Sequence, residues 1–367
     1  MLRKRLSFMV QTFRDIVNHI NNKLGDETIP ELLSKHDIEF PHISTGSVIV
    51  DYITGIGGIP RGRVTEFHGM QGCGKSTLAL MLAAQCQKLG LGVVYLDYEN
   101  AMELKYATSL GVDISRDKFA LVQPSSLEDG LRIAEIFLIK LLCGLVIVDS
   151  VAAMAASVEV DASAEIGQTQ IGLQARVMAV ALRQLKRKIN ESNVAWLFIN
   201  QLRDVIDMSW AGQMKARSGK QYITPGGHAL RFFCDMRVEF MPAGLIKQEE
   251  VNVLSIKEEK RKAVVGQKVR VTTVKNKCAI PQRTGEIILR HGKGIDNLYS
   301  CIELAIKEEL IKKHGGFFKF GPPLCEEDKM EQTARGIENL VDYFSSNPEK
   351  YDILSKQVWT KLSESER

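Results

Sequence analysis

Gly69-Met-Gln-Gly-Cys-Gly-Lys75-Ser76 fits the pattern G-x-x-x-x-G-K-[ST] without a gap. The pattern follows an apolar run, Val64–His68, and opens a helical stretch near Lys75. That strand-to-helix setting is the one in which it cradles phosphates. The chemistry requires these residue types. Glycines at Gly69, Gly72 and Gly74 let backbone amides curl around phosphate oxygens, and a helix N-terminus adds partial positive charge. Gln71, Cys73 and Thr77 complete the phosphate-binding set. Lys75 reaches the β- and γ-phosphates, and the Ser76 hydroxyl can ligate magnesium. The pattern thus implies a nucleoside triphosphate bound with Mg²⁺.

Two carboxylates extend this chemistry. Leu145-Val-Ile-Val-Asp149 is an apolar run ending in an acid, and beside such a loop an acid there can hold the magnesium water shell. Alone, an Asp closing a strand is more often an ordinary turn residue. Glu99 closes Val93-Val-Tyr-Leu-Asp-Tyr-Glu99, where a carboxylate could orient or deprotonate the water that attacks a γ-phosphate. A helix cap for the Asn100–Leu110 segment is an equal reading of Glu99. Asp97 competes for the catalytic role, and periodicity does not choose between them.

These residues need elements to place them. From about 43 to 295, short apolar runs alternate with helix-like stretches. The runs are Val64–His68, Gly92–Asp97, Phe119–Gln123, Leu145–Asp149 and Val194–Asn200, with helices expected over 75–89, 126–142 and 168–191. Fully apolar strands separated by helices indicate a parallel sheet covered on both faces. Alternating runs at Leu230–Met241, Val251–Ile256 and Lys268–Val274 are read as further strands. Before this core, Phe13, Ile16, Val17, Ile20 and Leu24 recur at helical spacing. After it come a helix near Asn297–Lys312, an aromatic cluster, Pro322-Pro323 and two more helical stretches. The expected division is a helical segment over 1–42, a core over 43–295 and a small mixed domain over 296–367.

Composition bounds the rest. The 367 residues exceed one ordinary domain. Forty-eight Lys and Arg against 44 Asp and Glu leave +4, so the chain is neither a basic arm nor an acidic tail. Counted locally, residues 257–293 hold eleven Lys/Arg against three Asp/Glu, and 203–237 hold six against three. The net charge therefore says little about nucleic acid. No run approaches the roughly 20 apolar residues needed to span a bilayer, and no membrane partner is expected. Seven cysteines without a CxxC pair suit scattered thiols in a cytoplasmic protein better than a disulfide frame or a zinc site.

With these sites in place, the sequence resembles the bacterial RecA-type recombinase family. The blocks that carry the likeness include Gly62-Arg-Val-Thr-Glu66, the phosphate loop, Tyr98-Glu-Asn-Ala101, Val146–Ala152, Ile199-Asn-Gln-Leu-Arg203, Thr224-Pro-Gly-Gly-His-Ala-Leu230 and Val274-Lys-Asn-Lys277. The phosphate loop alone is generic, whereas Asn-Gln-Leu-Arg followed by Thr-Pro-Gly-Gly is specific. The resemblance implies an α/β fold, a RecA-like P-loop ATPase core with a mostly parallel twisted sheet flanked by helices. It adds an N-terminal polymerisation helix and a small α+β C-terminal domain.

It further implies a DNA-dependent ATPase that forms helical filaments on single-stranded DNA and exchanges strands with homologous duplex DNA, in repair and the response to DNA damage. By resemblance Glu99 is the catalytic carboxylate, Gln201 senses the γ-phosphate, and Tyr106 stacks on adenine. Lys275 and Lys277, with Arg231 and Arg237, reach the nucleotide of the neighbouring subunit. Two stretches match DNA-contacting loops, at about 159–172 and 203–225. Ile171 and Ile206 match residues that wedge between bases, and Gly172, Arg176, Arg203, Gly226 and Gly227 join that surface. Arg176, Arg183 and Arg187 share a helix face within about 40°, which could line a phosphate track, with a solvated basic face an alternative for Arg187.

Departures from the pattern are Arg231 for lysine, Asn100 for histidine after Glu99, His291 at an aromatic position and a longer second loop. Two competing readings share parts of this sequence: a RecA-fold hexameric helicase or loader, and a paralogue that binds without hydrolysis. The intact Lys75, Ser76, Asp149 and Glu99 argue against the second.

Overall fold

The computed structural model describes residues 40–139, 143–160, 172–204, 222–251, 260–325 and 331–364. The expected N-terminal helix lies outside these residues, as do Ile171, Ile206 and most of the second loop.

Six parallel strands form the heart of a sheet in the order Met236–Val251, Val64–Gly69, Ala195–Gln201, Cys143–Asp149, Gly92–Asp97 and Phe119–Val122. Three strands continue it antiparallel beyond Met236–Val251: Lys260–Asn276, Thr284–Arg290 and Gly294–Ile295. Side chains alternate across the strands, so each apolar run feeds two cores. Val93, Tyr95, Leu145, Ile147 and Leu197 pack on one face with the helix Lys75–Lys88. Val94, Leu96, Val146, Val148, Trp196 and Phe198 pack on the other under Leu127–Ile139 and Leu173–Ser192. This is why the runs read as continuous and not alternating.

A parallel sheet carries all its strand C-termini to one edge, where loops collect ligands. Gly69, Asp97, Asp149 and Gln201 each end a strand at that edge. A third apolar cluster runs from Cys301 to Leu362. It joins the helices Asn297–Lys307, Gly336–Ser346 and Pro348–Glu364 to a three-stranded sheet of Lys312–His314, Phe317–Phe320 and Gln332–Arg335.

The structure corrects three expectations. The run Leu230–Met241 is not one strand. A helix, Gly227–Phe233, occupies its start, and the strand begins at Met236. Gly226, at φ 85°, lets the chain turn into that helix, so the alternation of Leu230 onward was accidental. The helix expected over Asn297–Lys312 stops at Lys307, and Glu309 turns the chain at φ 59° into the strand Lys312–His314. The second loop is not wholly irregular, since Arg203–Asp204 pairs antiparallel with Tyr222–Ile223 at its root.

Met236–Val251 pairs with Val64–Gly69 only through Phe240, and Lys260–Asn276 pairs with Thr284–Arg290 only over Gly266–Thr272. Beyond those contacts the two strands pair with each other as far as Val251 and Lys260, a ribbon extending past the sheet. Among the described residues no helix is long and apolar enough to cross a membrane.

Candidate active site

The strand Val64–Gly69 delivers the chain to the phosphate loop. At Gly69 a Cβ would stand 2.1 Å from the Phe240 carbonyl oxygen, so only glycine lets the loop leave the sheet there. Gly72 and Gly74 take φ 75° and 78°, and Gly74 caps the helix Lys75–Lys88. The loop curls around open space, for a Cβ at Gly72 would meet nothing within 4 Å. Such a cradle at a helix N-terminus suits an anion.

Lys75 is buried, and its Nζ donates to the carbonyls of Gly69 at 3.2 Å and Met70 at 2.7 Å. Burial lowers its pKa, and Cys73, Asp149 and Glu99 oppose that shift. The Cys73 thiol is held up by burial, with Lys75 acting the other way. A phosphate entering the cradle would offer Lys75 better acceptors than two carbonyls.

Asp149 ends its strand in register with Asp97. Burial raises its pKa, against hydrogen bonds from Tyr95 and Ser76. The Tyr95 hydroxyl donates to Asp149 Oδ2 at 2.6 Å. A hydroxyl and a carboxylate side by side form an oxygen donor set that fits magnesium, which keeps several waters and binds one or two protein groups plus phosphates. Ser76 and Asp149 would hold such an ion.

The geometry separates the two acids that the sequence left in competition. Asp97 is buried and accepts from the backbone N–H groups of Met102 at 3.1 Å and Ala101 at 3.4 Å, so it is spent on holding the turn that leads to the helix Leu104–Ser109. Glu99 faces the cavity. Its Oε1 accepts from Ser150 Oγ and from Gln201 Nε2, the latter at 2.9 Å. The cavity encloses about 240 Å³ and is lined by Gln71, Gly72, Gly74, Lys75, Ser76, Thr77, Glu99, Asp149 and Gln201, with Ile199 and Leu289. Tyr106 lies beside it, its hydroxyl 3.0 Å from Thr77 Oγ1.

Gln201 is the last residue of its strand and pairs in register with Gly69. Its neighbour Asn200 is fully buried, accepts the Gln201 N–H, and donates to Glu66 at 2.9 Å and to the Pro225 carbonyl at 3.0 Å. Glu66 in turn accepts from Arg237 at 2.5 Å. The wall of the cavity at Gln201 and the far end of the second loop at Pro225 are thus joined through hydrogen bonds of Asn200.

The remaining candidates lie outside the cavity lining. Lys275 donates to the carbonyls of Arg231 at 2.7 Å and Phe232 at 3.0 Å. Lys277 sits 3.5 Å from Asp235, which also pairs with Lys186 and with Arg63 at 3.6 Å. Arg231 donates to Thr224 at 3.1 Å. Gly172 caps the helix that carries Arg176 and Arg183, while the exposed Arg187 is paired with Glu191 at 2.6 Å. Arg203 reaches the Ala152 carbonyl at 3.4 Å, and Gly226 and Gly227 open the next helix at φ 85° and 69°. Asn100 adopts φ 52°, a left-handed conformation that asparagine tolerates. The His291 N–H donates to Val265.

Sequence reasoning missed Tyr95, Ser150, Ile199 and Leu289. Ser150 and Ile199 adjoin or nearly adjoin recognised residues, so chain proximity was an available signal. Leu289 had none, because a strand far along the chain brings it to within 3.1 Å of a Cβ placed on Gly74.

A model of the RecA N-terminal domain matches residues 11–296. The chain belongs to the RecA family. The protein RecA of Aquifex aeolicus is 35% identical to it over 357 residues, covering 97% of this chain and 94% of that one. The RecA of Lactobacillus johnsonii is 34% identical, covering 92% and 85%, and that of Clostridium beijerinckii 33%, covering 96% and 89%. A crystal structure of the RadB recombinase aligns with a TM-score of 0.46 at 16% identity, over 69% of this chain and 98% of that one. As a RecA-family core, the mostly parallel sheet matches the fold expected from the sequence.

Proposed function

We propose that this RecA-family chain is a DNA-dependent ATPase recombinase of DNA repair, which assembles into helical filaments on single-stranded DNA and exchanges strands with homologous duplex. In this reading ATP and Mg²⁺ occupy the cradle, Lys75 binds the terminal phosphates, and Ser76 and Asp149 hold the metal. Glu99 activates the attacking water, and Gln201 registers the γ-phosphate. Residues 1–42 serve polymerisation, 43–295 form the motor, and 296–367 are a small C-terminal domain of a cytoplasmic protein. Lys275 and Lys277 act on the nucleotide of a neighbouring protomer, and Ile171, Arg176, Arg203 and Ile206 meet DNA with the glycines around them.

One observation carries this reading. Gln201 touches the candidate catalytic carboxylate and stands two residues from the root of the second loop, whose far end is tied to Asn200 through Pro225. Loss of a phosphate oxygen that Gln201 contacts can therefore be felt where DNA would bind, a switch of the kind in which a γ-phosphate orders a segment.

The test is ATP hydrolysis measured with and without single-stranded DNA, followed by electron microscopy of the complexes. DNA-stimulated hydrolysis by helical filaments is expected. Closed rings would replace the recombinase with the hexameric helicase or loader.

A further inference from the structure

Tyr95 lies in the middle of the strand Gly92–Asp97, buried to 2% exposure, among the apolar side chains that cover one face of the sheet. Its ring packs on Phe119 with centroids 6.2 Å apart. A phenylalanine would satisfy that packing as well and would carry no polar atom into the core. The hydroxyl has a specific partner, Asp149 Oδ2 at 2.6 Å. The phenol is the donor of this pair, because a carboxylate only accepts.

An aspartate carboxylate turns through a broad torsional well. At the end of a buried strand it also needs donors, since a low-dielectric site makes an unpaired oxygen costly. The Tyr95 hydroxyl meets both needs at once. It donates to one oxygen and so restricts rotation of the carboxylate, while Ser76 hydrogen-bonds the same group.

We infer that Tyr95 is a positioning residue for the divalent cation, setting the Asp149 carboxylate so that its remaining acceptor capacity faces the Ser76 hydroxyl and the phosphates. This rests on the reading of Asp149 as the magnesium acid. Tyr95 touches neither nucleotide nor metal; it acts through Asp149. Groups that orient a metal-binding side chain in this way typically govern metal affinity by a factor of 10 to 100.

The experiment is a magnesium titration of the binding of a fluorescent ATP analogue to the full chain, with the wild type beside Tyr95→Phe, Asp149→Asn and Phe119→Leu. Tyr95→Phe preserves shape and should fold, as circular dichroism will check. Its magnesium midpoint is expected to rise about tenfold, with affinity in excess chelator unchanged. Phe119→Leu disturbs the ring packing without touching the hydroxyl and should leave the midpoint in place. An unmoved midpoint in Tyr95→Phe, where Asp149→Asn does move it, overturns the role of Tyr95. An equal shift in Phe119→Leu overturns it too, since packing alone would then explain the effect. If Asp149→Asn leaves the midpoint unchanged, the underlying assignment of Asp149 fails, and the inference with it.

Discussion

Gln201 Nε2 donates to Glu99 Oε1 at 2.9 Å, bridging two strand ends that lie two strands apart in the sheet. The amide of one strand thereby holds the carboxylate that follows another. Glu99→Gln is expected to lower the turnover of ATP by a hundredfold or more, the scale of a lost general base, with nucleotide affinity held within a few fold. Steady-state hydrolysis compared with equilibrium nucleotide binding checks this. Equal losses in both would show that Glu99 binds and does not catalyse.

Lys75→Ala removes the cation from the cradle. Its Nζ holds only two loop carbonyls, so the fold should persist. Nucleotide affinity should fall roughly a hundredfold, the equivalent of about 3 kcal/mol of charge-assisted bonding. Calorimetric titration with ATP measures it, and full affinity would remove Lys75 from the phosphate site.

Asp235 gathers Lys186, Arg63 and Lys277 around one buried carboxylate. Burial works to raise its pKa, but the bond and charge of Lys186, the Val64 N–H and Lys277 outweigh that and leave it lowered. The folded carboxylate thus holds its proton less tightly than the unfolded one. Its stabilisation is complete above the unfolded value near 4 and is lost as pH falls through the folded value. Denaturant melts should show Asp235→Asn less stable than wild type by roughly 3 kcal/mol at neutral pH, the gap closing only below about pH 4. A gap that stays constant into acid would refute the ion cluster as its source.

Arg203 and Arg176 flank the two loops assigned to DNA. If each meets one backbone phosphate, replacing either by alanine should reduce the slope of log affinity against log salt by about one and weaken all sequences alike. Fluorescence anisotropy over a range of salt concentrations reads this directly. An unaltered slope would place that arginine off the DNA path.

Much of this was legible in the chain. Five of the six parallel strands declared themselves because burial on both faces leaves no alternation, and Gly69–Ser76 is tied to its strand–turn–helix setting by phosphate chemistry. Glu99 and Asp97 could not be told apart, because their difference lies in which backbone amides Asp97 meets, at Ala101 and Met102. Leu230–Met241 misled because a short helix opened by Gly226 happens to share the hydropathy of a strand. Leu289 and Tyr95 were hidden for a more general reason: their roles exist only once distant strands have paired.

That dependence bears on how the protein acquires its site. Lys75, Glu99, Asp149 and Gln201 each follow or end a different parallel strand, and none of these strands neighbours its predecessor through a tight turn. Their meeting waits on closure of long crossover connections, the slow step of folding in non-local topologies. A chain halted short of Gln201 would carry the phosphate loop without the cavity wall that Gln201 supplies. Under the proposed function, nucleotide would favour the completed sheet over partly folded chains, and its binding energy would act as a late lock on the fold.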